Sequence, residues 1–226
     1  MAMVVRDDTV RTQPMALGDA YARPAGYAAR RAVPRAARSA GAWLIIVCLG
    51  AGVWQLGQGV YIHAKARLAQ YLIADAWNKT LAGKRAVKPW PWADTWPVAR
   101  LHAPAAGAPQ YVLAGADGRA IAFGPGHMHG TPLPGTTGNS VIGGHRDTHF
   151  AFLRELKHGD AITVQRADGV LQGYRVSDTQ VVDKSAVHVA DNNGPTRLTL
   201  VTCWPFDALR AGGPQRYVVS AIATAP

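Results

Sequence analysis

Three residue types that can together carry out acyl transfer stand at the ends of separate stretches of this chain: Cys203, His145 and Arg216. Cys203 closes the run Arg197-Leu-Thr-Leu-Val-Thr-Cys203, whose alternation of leucines with β-branched residues reads as a strand. Trp204-Pro205 ends that ladder, because proline has no N–H to donate. The thiol is thus expected where a strand opens into a loop. A second apolar run, Arg216-Tyr-Val-Val-Ser-Ala-Ile-Ala223, returns after the turn signal Gly212-Gly213-Pro214 and sets Arg216 at its start. On its own, a lone cysteine in a strand is usually a small buried hydrophobe.

A thiol needs a proton-transfer partner. His63 abuts an apolar N-terminal run, His102 and His188 stand in loops without flanking signals, and His158 follows a helical turn. His127 and His129 have the spacing of a metal pair but no third ligand in view. His145 differs, because it ends the apolar run Ser140-Val-Ile-Gly-Gly-His145, where glycines let other groups approach the backbone closely. A thiolate, an imidazole and a guanidinium at three strand ends suffice for nucleophilic attack, proton donation to a leaving amine and oxyanion stabilisation.

The elements that must position these residues read as short strands. Tyr111–Ala114 and Arg119–Phe123 flank Gly115-Ala-Asp-Gly118, a hairpin signal. Ala161–Gln165 pairs with Leu171–Val176 around Ala167-Asp-Gly169, and Val181-Val182 extends the latter. Phe150–Leu156 is long enough for one or two helical turns. The expected class is mainly β, with about eight strands in a closed or nearly closed barrel over residues 105–226.

Upstream the pattern changes. Residues 1–38 are rich in Arg, Ala and Pro without apolar periodicity, and read as a disordered tail. Residues 39–62 hold an uncharged apolar run of the length that crosses a bilayer, with Trp43 and Tyr61 near its ends. Arg30, Arg31, Arg35 and Arg38 before it predict a cytoplasmic N-terminus, and the run is expected to act as an uncleaved signal anchor. Residues 63–104 then read as a stalk helix, with Leu68, Leu72, Ala76, Trp77 and Leu81 on one stripe, followed by a strap over Lys88–Pro97. Its three tryptophans are expected to cover a groove on the domain.

Net charge is +10, yet no Lys/Arg cluster interleaves with aromatics, so nucleic-acid binding is not expected. Cys48 falls within the apolar run, which leaves Cys203 without a partner thiol in the exported part. It is therefore buried and inert, linked between chains, or working.

Val141-Ile-Gly-Gly-His145-Arg-Asp147, then Leu198-Thr-Leu-Val-Thr-Cys203, then Arg216, resembles the sortases. These are membrane-anchored cysteine transpeptidases with an eight-stranded barrel. Their pattern is Gly-His at one strand end, Thr before Cys at another, and Arg on the last strand. The Trp/Pro strap and the segments around His145 and Cys203 are most similar to the sortases of Gram-negative bacteria, with some likeness to classes D and E.

The resemblance implies Cys203 as nucleophile, His145 as general acid/base and Arg216 as the active-site arginine in preference to Arg210. It implies that Thr202 lines the site, with Asp147 and Trp204 as further substrate-binding candidates. The implied substrates are proteins with a C-terminal Leu-Pro sorting signal, cleaved through a thioester and passed to an amine or to water. No carboxylate cluster resembles the calcium site of some class A members, so no metal or other cofactor is expected. The implied location is the inner membrane, single-pass, with the barrel periplasmic. Two other readings remain: an exported barrel that binds peptide or glycan without catalysis, and a Cys/His murein transpeptidase, whose Ser-x-Gly-Cys neighbourhood Thr202-Cys203-Trp204 does not match.

Overall fold

The computed structural model describes residues 35–187, 194–208, 210 and 212–225. The expected tail up to residue 34, and His188, lie outside them. Contacts divide the chain into two units, residues 1–53 and 54–226. Helix α1 covers Arg35–Leu81. From Gly41 onward it is long enough, and over an 18-residue stretch apolar enough, to cross a membrane. Its large apolar side chains up to residue 62, Leu44, Ile45 and Leu56 among them, are exposed.

In the second unit the buried face of α1 is Ala69, Ile73, Ala76, Trp77 and Thr80, the i, i+4, i+7, i+8, i+11 spacing of one helical side. This corrects the expected stripe. Leu68 is 56% exposed and Leu81 37%, because the small Ala69 and Thr80 supply the close-packing face instead.

Eight strands among the described residues close into a barrel: β1 (Pro97–His102), β2 (Gln110–Ala114), β3 (Gly126–His127), β4 (Asn139–Gly143), β5 (Ala161–Arg166), β6 (Leu171–Asp183), β7 (Arg197–Cys203) and β8 (Gln215–Ala223). Their order around the wall is β1-β2-β3-β4-β7-β8-β6-β5, and β1 pairs with β5 to close it. The barrel interior is filled by Leu101, Ile142, Ile162, Leu198, Leu200 and Val219 with their neighbours. The helical turn expected after Phe150 is a short 3-10 helix, Ala151–Glu155.

Two local readings change. Arg119–Phe123 is not a strand. The Asp117 carboxylate accepts from the N–H groups of Arg119 and Ala120, both at 3.0 Å, and so starts a run of turns closed by Ile121 N–H to Asp117 C=O. The partner of β2 is instead the two-residue β3, in parallel. That pairing demands glycine at 126, where a Cβ would lie 2.1 Å from the Gly115 carbonyl oxygen. The second change is β1, a barrel strand opening at Pro97 directly after the tryptophan strap, upstream of residue 105.

Of the strap's rings, Trp90 packs edge-on against Phe123 with centroids 5.1 Å apart, and Trp96 is half-buried. Trp92 departs from the expected cover and stands 80% exposed. It lines, with Trp90 and helix residues 61–72, a groove of about 1050 Å³ that reaches His149.

Candidate active site

Strand β7 brings the site together because it lies between β4 and β8. Its pairing with β4 is parallel and runs Asn139↔Arg197 to Gly143↔Val201. The alignment continues past the end of β4, since Gly144 N–H donates to Val201 C=O at 3.1 Å and the Thr202 hydroxyl donates to Gly144 C=O at 2.8 Å. The paired ladder ends at Gly143↔Val201, and His145 follows Gly143 by two residues as Cys203 follows Val201 by two. On the other side, antiparallel pairing sets Cys203 directly opposite Arg216. Opposed residues on paired strands project from the same face. Cys203 and Arg216 therefore share one face of β7 and β8, and His145 stands in the segment just beyond the end of β4.

The face is fixed by alternation. Leu198, Leu200 and Thr202 point into the barrel, with Thr202 only 2% exposed. Val201 and Cys203 consequently lie on the outer face. There Val141, Val201 and Val218 form a small apolar patch, joined by Met128, Val182 and Val187. Cys203 is half-buried and His145 exposed. Cys203 and Arg216 thus lie on the same side of the wall as this buried apolar cluster.

Gly144 is required for this arrangement by space rather than by backbone angle. A Cβ there would meet Cδ2 and Cγ of the Phe150 ring at 2.8 Å. Phe150 is fully buried, and its N–H returns to the His145 carbonyl at 2.9 Å, which turns the chain back after the histidine.

The other sequence-derived candidates take distinct places. The Thr202 hydroxyl faces inward, tying β7 to the end of β4. The Asp147 side chain is 76% exposed, with its carboxylate 4.0 Å from Arg146 Nε. Trp204 stacks on Tyr217 with centroids 5.7 Å apart and meets Phe206 edge-on at 5.6 Å, while the Arg154 guanidinium lies 5.1 Å over the Phe206 ring. Arg216 Nη1 donates to the carbonyls of Gly213 and Gln215, each at 2.8 Å, which holds the turn before β8. Arg210 is exposed on the β7–β8 connection. The His127 ring, spaced as a metal pair with His129, is buried with Nε2 2.9 Å from the Pro132 carbonyl and 3.1 Å from the Thr131 hydroxyl.

Two neighbours of the site escape the sequence reading. His149 is half-buried, and its protonation is pushed below the usual histidine range first by burial and then by the charge of His145, against a hydrogen bond to the Ala122 carbonyl. Arg146 is 5% exposed. Neither carries a periodic signal, since both lie in the irregular segment between β4 and the 3-10 helix.

The strand order defines a closed eight-stranded barrel with Cys203 facing Arg216 across two of its strands, and comparison with known proteins gives it a family. Residues 101–224 match the Sortase domain family. The chain belongs to the sortase family, which sets aside the murein transpeptidase reading. Over 120 residues it is 30% identical to Sortase D of Bacillus subtilis, an alignment covering 53% of this chain and 60% of that protein. The chain thus spans less than two thirds of that relative's length, and the expected likeness to class D is met in it. Among solved structures, sortase C-1 from Actinomyces oris matches with a TM-score of 0.51 and 30% identity, covering 57% of this chain and 76% of that one. Sortase A from Corynebacterium diphtheriae matches with a TM-score of 0.52 and 25% identity over 70% and 85% of the two chains.

Proposed function

We propose that this chain is a membrane-anchored cysteine transpeptidase that cleaves a C-terminal Leu-Pro-type sorting signal and passes the acyl group to an amine. The observation that carries this reading is the antiparallel register that sets Cys203 opposite Arg216, with His145 two residues beyond the end of β4, the strand that flanks β7 on its other side. The Cys203 thiolate attacks the scissile carbonyl carbon, and the resulting oxyanion is met by the part of the Arg216 fork not engaged with Gly213 and Gln215. Collapse of that intermediate breaks the C–N bond while the His145 imidazolium gives its proton to the departing amine, leaving a thioester on Cys203. An incoming amine then attacks the thioester, His145 takes its proton, and the thiolate departs. Water is the slower acceptor. Asp147 and Trp204 flank the groove as substrate-binding candidates, and Thr202 acts from behind it.

The apolar stretch of α1 acts as a signal anchor in the inner membrane, with the N-terminus cytoplasmic and the barrel periplasmic, in the manner of a Gram-negative sortase. The amine acceptor is left open by this reading. The test is intact-mass detection of a thioester adduct after mixing the full chain with a Leu-Pro peptide. The adduct should form on wild type and vanish in Cys203→Ala with an unchanged thermal midpoint. An adduct that persists in the variant places the nucleophile elsewhere. A wild-type thiol that neither acylates nor reacts with iodoacetamide supports the silent binding barrel.

A further inference from the structure

Immediately after the histidine that ends the β4 segment, the chain buries a guanidinium. Arg146 is 5% exposed, although His145 and Asp147 on either side are exposed. Its Nη2 donates to two carbonyl oxygens at once, those of Ala208 and Arg210, each at 2.7 Å. Both acceptors lie 62 and 64 residues further along the chain, in the connection between β7 and β8. The Asp147 carboxylate is 4.0 Å from Nε and faces solvent, so it neutralises the buried charge only weakly. Burying a guanidinium is costly, and the short charge-assisted bonds to the two carbonyls are what offset that cost here.

The place of those bonds matters. Cys203 and Arg216 are the two ends of the very connection that Arg146 grips, and they face each other in register. One end of the connection is held by Trp204 stacked on Tyr217 and by Phe206 edge-on to both rings. Its middle is held by Arg146, whose backbone is bonded directly to that of His145. The guanidinium therefore connects His145, its neighbour in the chain, to the loop that runs between Cys203 and Arg216.

We propose that Arg146 is a positioning residue for acyl transfer, clamping the β7–β8 connection to the end of β4 so that His145, Cys203 and Arg216 stay aligned. The proposal rests on the sortase reading of those three residues. A guanidinium suits the task because the two N–H groups of one nitrogen, fixed in a plane, reach both carbonyls, a fixed direction that the rotating N–H groups of a lysine ammonium do not reproduce.

The test uses the full chain with Arg146→Gln and Arg146→Lys. In Arg146→Gln, amide hydrogen exchange should quicken in the loop around 204–214 and in the segment around 145–147, with the rest of the barrel unaffected. The kcat for acylation by a Leu-Pro peptide should fall about 10²-fold, the scale of a 1 Å misplacement, with KM little changed. Arg146→Lys should retain more activity than Arg146→Gln. Alkylation of Cys203 by iodoacetamide in alkaline buffer, where a thiol ionises without help from its neighbours, should proceed at the wild-type rate in both variants. Unchanged loop exchange, a kcat loss no larger than the unfolded fraction, or alkylation that falls in step with kcat would each overturn the clamp. Should wild type itself fail to acylate, the transpeptidase reading falls, and the exchange measurement still decides whether Arg146 holds the loop.

Discussion

Gly144→Ala adds one methyl group at the point where the fold has least room for it. The new Cβ would lie 2.8 Å from two carbons of the Phe150 ring and 3.2 Å from a third. Comfortable carbon–carbon contact begins near 3.5 Å, so ring and strand end must part by about 0.7 Å. The ring has nowhere to retreat, because Phe150 is fully buried and packs edge-on against Phe152 with centroids 5.9 Å apart. Displacement therefore falls on the end of β4, which carries His145. Overpacking of this kind costs about 1–3 kcal/mol. At about 2–4 °C per kcal/mol for a chain of this size, the thermal midpoint should fall by about 2–12 °C. Turnover at a temperature where the variant remains folded should drop by about 10²-fold, since the histidine no longer meets the thiol in register. Differential scanning fluorimetry and single-turnover acylation read the two effects. Phe150→Leu in the same background should restore part of both, giving a non-additive cycle of about 0.5–3 kcal/mol. Simple additivity with Phe150→Leu, or a Gly144→Ala enzyme of wild-type stability and rate, would refute the steric argument.

Further outcomes follow from other parts of the structure. Arg216→Lys should cost about 10²–10³ in acylation rate, the worth of a positioned oxyanion donor. Arg210→Lys should cost little, because its side chain is exposed and it is its backbone carbonyl that Arg146 holds. Stopped-flow rates of the two variants on one peptide decide between them. His127 is held below the ordinary histidine value of 6.5 first by burial, with the charge of His129 adding and the Pro132 carbonyl opposing. Its folded pKa is depressed, so the unfolded chain binds the extra proton, and stability intact above that value should decline as pH falls below it. His149 acts in the same direction. His127→Gln should flatten part of that decline in a series of melts from about pH 8 to about pH 5. Finally, an export-dependent reporter fused after residue 226 should be active, and the same fusion with a cytoplasm-dependent reporter silent. The opposite pattern refutes the proposed orientation.

Some of this architecture is legible in the sequence for plain reasons. Strand β7 announces itself because its inward Leu198, Leu200 and Thr202 alternate with outward Thr199, Val201 and Cys203, so period, face and end are all written in residue type. The Gly-Gly-His run is legible for a related reason, although its steric partner, Phe150, is visible only in three dimensions. Strand β1 is hidden because proline and tryptophan precede it and its pairing partners lie on β2 and β5, far from local view. Arg119–Phe123 has the apolar content of a strand, yet one carboxylate, Asp117, outbids the ladder by satisfying two N–H groups locally. Arg146 is hidden for the opposite reason. Nothing in its neighbours marks a charged residue for burial, and its acceptors are main-chain carbonyls that leave no trace in the sequence.

Both sides of β7 are occupied, by β4 on one and β8 on the other. A visiting peptide therefore meets no vacant main-chain edge along the paired length that leads to Cys203, and cannot bind there by becoming one more strand. It must instead lie over the outer wall, gripped by side chains and by loops. A host of that kind requests no regular ladder of N–H donors from its guest. Proline, which forfeits an N–H and would be penalised within a sheet, brings no such penalty to this surface. Its locked φ and its bias of the preceding residue toward extended backbone also mean that less chain freedom is lost on docking. Under the proposed function, the proline of the sorting signal thus discriminates in both directions: it spoils a peptide for receptors that work by strand addition and fits it to a wall that is already complete.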